Sequence, residues 1–186
     1  MKITDRAKNE ILAESGFDEH NILVYPDLET FVEMYCMYAK IHLQPKYDEI
    51  LLIVTQYETP DKVKQNLTEF DIDAKLHEQN GSLLIVDSVK GYQNGDTNGI
   101  LKLAQWLADR AEKEGRQGVC VFGDMGSFFM FDRLVELLQY ELSIPTKPGI
   151  KLKAFCSYHA SDFDRLSLEQ RQTLQDNHYR RIFPQN

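Results

Sequence analysis

Short runs of consecutive apolar residues alternate along this chain with longer stretches in which apolar residues recur every three or four positions. The runs cover residues 22–25, 50–55, 83–88, 118–124 and 150–158. Apolar runs of this length, bounded by Gly, Pro or polar turns, suit strands buried on both faces, as in a parallel sheet covered by helices on each side. The stretches between them read as helices. Asp27 is placed to N-cap the first, in which Leu28, Phe31, Tyr35, Tyr38 and His42 form a stripe of core packing rather than a cofactor box. Thr59-Pro60 opens a second, with Val63, Leu67 and Phe70 buried. A third spans 98–114, with Ile100, Leu103, Ala104, Leu107, Ala108 and Ala111 facing inward and Gly115 as its stop. A fourth, over 128–142, turns Phe131, Leu134, Val135, Leu138 and Leu142 to the core, and Ser167-Leu168-Glu169-Gln170 has capping-box spacing for a last helix reaching toward His178. Residues 5–14 read as a peripheral helix or a frayed end, and 91–99 as a polar, glycine-rich loop suited to a lid or a plain connector. Strands alternating with helices predict an α/β fold, a three-layer αβα sandwich on a mainly parallel sheet.

Composition narrows the classes of function. The chain has 186 residues, a length that suits one domain, and no apolar run approaches the roughly 20 residues of a membrane span. Residues 1–17 read as a peripheral N-terminal segment without a secretory core, so the expected location is cytoplasmic. A net charge of −8, from 29 acids against 21 bases, disfavours direct binding of nucleic acid or anionic lipid. Three cysteines, Cys36, Cys120 and Cys156, lie far apart in apolar segments and read as buried free thiols rather than disulfides or a zinc site.

Candidate chemistry gathers at strand ends. Asp124 closes its apolar run between Gly123 and Gly126, at the sheet edge where open α/β folds bind ligands. It suits either chemistry or the ordering of the following turn through nearby amides. After the first strand stands Tyr25-Pro26-Asp27-Leu28-Glu29-Thr30, where a nucleotide-hydrolysing domain would carry a glycine-rich P-loop with lysine. There is no Gly-x-Ser-x-Gly elbow and no His or Cys pair at metal spacing; His159 and His178 read as hydrogen-bonded structural groups, so neither metal nor cofactor is expected.

The run Ile53-Val54-Thr55-Gln56-Tyr57-Glu58-Thr59-Pro60, with Asp73-Ala74-Lys75-Leu76 and Gly81-Ser82-Leu83-Leu84-Ile85-Val86-Asp87-Ser88, resembles the RecA-like core of KaiC-type ATPases. The Gly123-Asp124-Met125 turn, the Cys156-Ser157-Tyr158 strand end and His178 resemble more specifically the MEDS sensory domain of the dichloromethane regulator DcmR, over residues 18–183. The resemblance implies a RecA-derived fold that has exchanged nucleotide hydrolysis for sensing. Tyr57 and Glu58 stand where the enzymes keep an acidic pair, and Asp124 where they keep a magnesium-linked acid. Such domains are often joined to DNA-binding or kinase modules, so the expected partner is a separate regulatory protein such as a kinase or transcription regulator, with a homo-oligomer also compatible. The leading expectation is a ligand-sensing module that binds an unknown small molecule among Tyr25, Tyr57, Glu58, Asp87, Asp124, Met125, Tyr158 and His159. Asp124, Tyr158 and His159 are expected to converge on one concave site. A residual nucleotide-binding protein or ATPase, and a pure interaction subunit, are the alternatives.

Overall fold

The computed structural model describes residues 12–93 and 98–183. Six strands, β1 (Glu19–Tyr25), β2 (Glu49–Thr55), β3 (Leu83–Asp87), β4 (Gly118–Asp124), β5 (Leu152–His159) and β6 (Arg181–Ile182), form one sheet in the order β3-β2-β4-β5-β1-β6, with every pairing parallel. β1, β2 and β4 are buried along their whole length, which is why they read as unbroken apolar runs and not as alternating patterns. Helices α1 (Leu28–His42), α2 (Pro60–Glu69) and α3 (Ala74–Gln79) cover one face. On the other lie α5 (Gly99–Glu114), α6 (Gly126–Met130), α7 (Leu134–Ser143), α8 (Ala160–Phe163) and α9 (Leu168–Asp176), with the short α4 (Ser88–Gln93) between β3 and α5. Each face carries its own apolar cluster, so the sheet is the middle of three layers.

Local signals act as their chemistry requires. Asp27 accepts the Thr30 amide at 2.8 Å and Thr59 that of Lys62 at 3.2 Å, each supplying an acceptor to a helix start that has none of its own. Ser167 and Gln170 close a reciprocal capping box, and Gly115 ends α5 in the left-handed region at φ 73°. No described helix is long and apolar enough to cross a membrane.

Two expectations change. The helix expected over 128–142 is two, because Asp132 adopts φ 52° and restarts the chain in a new direction. That break resets the helical phase: α7 buries Leu137, Tyr140 and Glu141, while Val135 and Leu142 are 66% and 53% exposed. Leu28, at the first position of α1, is also exposed rather than part of the buried stripe. Much of the expected peripheral helix over 5–14 lies outside the described residues, as do residues 94–97 of the expected lid; its other flank, Ser88–Gln93, is helical. β6 gave no sequence signal, being two residues long and ordered by pairing with Ile22 and Leu23.

Candidate functional site

Strand alternation decides which side chains can meet. In the register that pairs Tyr25 with His159 and Asp124 with Ser157, these four residues point to the face covered by α1. Tyr158, one position out of phase, points to the opposite face, where it packs on Phe129 and Phe163 and its hydroxyl donates to Glu141. The expected convergence of Asp124, Tyr158 and His159 is therefore corrected: Asp124 and His159 share a face and Tyr158 does not, because neighbours on a strand alternate. Met125 is likewise buried in the opposite cluster, with the Tyr92 hydroxyl 3.7 Å from its sulfur. Asp87 accepts the Lys90 amide at 3.2 Å and so caps α4. Glu58 turns toward α1 and α2, accepting from Tyr35 at 3.0 Å and Asn66 at 2.8 Å.

What remains is a compact group at the carboxyl ends of β1, β4 and β5. Asp124 is fully buried; its Oδ1 accepts the Gly126 amide at 2.9 Å and its Oδ2 has no partner. Burial raises its pKa to about 7, although the amides of Gly126, Tyr57 and Gln56 pull the other way. The Tyr25 hydroxyl lies against this carboxyl without closing a hydrogen bond of normal geometry, and burial followed by the charge of Asp124 pushes its pKa up. The hydroxyls of Ser127 and Ser157 are also buried without partners. Above them, Tyr57 donates to Asp162 of α8, joining the β2–α2 loop to the segment after β5. His159 accepts the Ser161 amide at 3.2 Å and stands edge-on to Tyr25, with ring centroids 5.3 Å apart. Gly126 makes room for this arrangement, since a Cβ there would come within 2.8 Å of the Tyr57 ring. Asp162 was missed from sequence, because nothing in its spacing ties it to a loop 105 positions away.

The start of α1 is already filled by the chain's own carboxylate. Asp27 occupies the position at which a phosphate would meet the helix amides, and Glu29 adds a second negative charge in the first turn. All three cysteines are buried, and burial raises their thiol pKa values, that of Cys36 to about 12. His178 does not share a site with His159; its ring lies 4.0 Å from that of His20, under the opposite face.

A family model described as MEDS, the MEthanogen/methylotroph, DcmR Sensory domain, matches residues 19–171. No curated protein matches the chain.

Proposed function

The chain belongs to the MEDS family of sensory domains, and from that premise we propose that it is a non-catalytic sensing module whose small-molecule ligand binds at the carboxyl ends of β1, β4 and β5. One observation carries this reading: Tyr25, Asp124 and Ser157 share one face at that edge, and Tyr25 Oη, Asp124 Oδ2 and Ser157 Oγ, with Ser127 Oγ of the turn that follows, are buried without hydrogen-bond partners. Buried polar atoms are nearly always hydrogen-bonded, and unmet groups gathered at one sheet edge suit a small polar molecule that meets them. Of the eight residues expected to line the site, the proposal keeps Tyr25, Tyr57, Asp124 and His159 and adds Ser127, Ser157 and Asp162. Entry requires the Tyr57–Asp162 hydrogen bond to open, which frees α8 and the β2–α2 loop to move. That movement is the signal passed to a separate regulatory protein, such as a kinase or transcription regulator. The RecA-type frame serves here without nucleotide chemistry, as the capped start of α1 favours.

Native mass spectrometry of the purified chain tests the proposal. A co-purifying small molecule is expected on the unaltered protein and is expected to be lost in Asp124→Asn. A chain with no adduct, and no melting shift across a panel of small polar compounds, would favour the pure interaction subunit. A melting shift with ATP and magnesium that Asp124→Ala abolishes would favour residual nucleotide binding instead.

A further inference from the structure

Under the face covered by α5–α9, side chains from four separate segments bring ligand-type atoms together. His20 comes from β1, Glu141 from α7, Cys156 from β5 and His178 from the turn after α9, and all four are buried. His20 Nε2 lies 3.2 Å from Glu141 Oε2 and 3.2 Å from Cys156 Sγ; His178 Nε2 lies 3.3 Å from the same carboxylate oxygen. All the donor atoms fall within 4.8 Å of one another. Zinc bonds of about 2.0–2.3 Å place the ligands of a tetrahedron about 3.3–3.8 Å apart, and three of the separations here, at 3.2–3.3 Å, stand near the short end of that range.

Hydrogen bonding satisfies this cluster only if one of its imidazoles carries a second proton. His178 Nδ1 meets the Leu174 carbonyl at 2.6 Å, and a carbonyl only accepts, so Nδ1 holds the ring proton. A neutral His178 then presents the Nε2 lone pair to a carboxylate oxygen, two acceptors face to face. Neither His178 Nε2 nor Glu141 Oε2 has a hydrogen-bond partner. A metal ion among the four ligand atoms would meet the Nε2 lone pair and the carboxylate together, without burying an imidazolium.

The opposite face holds a control. His42, Glu49 and Cys120 form a similar group, with His42 Nδ1 2.7 Å from Glu49. There Lys153 supplies the positive charge, its Nζ 2.8 Å from Glu49 Oε1. No lysine or arginine is seen against Glu141 among the described residues.

We propose that His20, Glu141, Cys156 and His178 hold one divalent transition-metal ion of the zinc class in a closed tetrahedral site. Imidazole and thiolate ligands select such ions over magnesium or calcium. Coordination requires the Cys156 thiol to lose its proton to solvent as the metal–sulfur bond forms. The supporting contacts are in place: the Leu174 carbonyl orients His178, and the Tyr158 hydroxyl donates to Glu141 Oε1. A cavity of about 20 Å³ lined in part by His20 and Cys156 has room for about one water beside the cluster. With four protein ligands there is no open position, so the ion is structural: it fastens α7 and the segment after α9 to the sheet. The inference does not rest on the ligand site at the strand ends.

The test uses the full chain, freed of metal by chelation and refolded with zinc or with cobalt as a spectroscopic probe. About one ion per chain is expected to remain after desalting. The cobalt form is expected to show the visible bands of a tetrahedral site and a near-ultraviolet thiolate-to-cobalt band. In Cys36→Ser/Cys120→Ser, which leaves Cys156 as the sole thiol, that band stays; in Cys156→Ser it disappears. His178→Asn is expected to release the metal, Tyr158→Phe to weaken binding about 10- to 100-fold, and His42→Asn to leave it unchanged. The proposal is overturned if the refolded unaltered chain retains no metal, if the thiolate band survives without Cys156, or if the double serine variant lacks it. Should Cys156→Ser or His178→Asn fail to fold, the unaltered chain and the double serine variant decide alone.

Discussion

The two faces of the sheet bury almost the same chemistry and neutralise it differently. Under α1, Glu49 sits with His42 and Cys120, and under α7, Glu141 sits with His20, His178 and Cys156. Burial pushes the pKa of Glu49 up, but hydrogen bonds from His42, Cys120 and Lys153 outweigh it and the net direction is down. At Glu141 burial again pushes up and the two histidines pull further down. The difference is the resident lysine: Lys153 stands against Glu49 on one face, and only the two histidines stand against Glu141 on the other. A buried carboxylate is costly to keep without a counter-charge, so the comparison teaches that similar clusters differ in where that charge comes from. Asp124, a third buried acid, takes another course and holds a proton near neutrality.

Removing the lysine should have the largest effect. Lys153→Met leaves Glu49 buried without its cation and is expected to cost about 3–5 kcal/mol in urea denaturation at neutral pH. A loss below about 1 kcal/mol would break the comparison, since His42 would then suffice as counter-charge.

Asp124→Asn should act in the opposite direction. The native pKa of about 7 lies above the ordinary 3.8, so between these values the native chain holds a proton that the unfolded chain has lost. Stability therefore falls as pH rises through that window, and the ionised native form is disfavoured by up to about 4 kcal/mol above it. The asparagine variant is expected to gain up to that amount at pH about 8, with no gain below pH about 4. A destabilised variant across the whole range would mean that the carboxyl is a structural anchor rather than a group kept for binding.

Zinc at about 100 times its dissociation constant should stabilise the chelated chain by about 2.7 kcal/mol, seen as a rise in Tm. The same rise in Cys156→Ser would place the metal elsewhere and leave Glu141 without its cation. The smallest effect is expected for Ser167→Ala, which removes the cap of α9, the helix ahead of His178, and should cost about 1 kcal/mol. A loss above about 2 kcal/mol would show that α9 supports more than its own first turn.

The elements that pattern alone determined are those whose cause is local. The apolar runs of β1–β5, the caps at Asp27, Thr59 and Ser167, and the Gly115 stop each depend on a few neighbouring residues, and they stand where the sequence reading put them. The sheet edge as the place for Asp124 followed from the same logic. Pairing across long separations was beyond it. Whether Tyr158 joins Asp124 depends on strand phase relative to neighbours more than 30 positions away, and the phase placed them on opposite faces. The restart at Asp132 moved Glu141 into the core, where a continuous helix would have buried Leu142. The meeting of His20 with His178 joins two single histidines, each unremarkable in its own segment, because β1 and the chain just before β6 lie side by side. Short-range sterics and burial period are written along the chain, whereas the company a buried charge keeps is set only when distant segments pack.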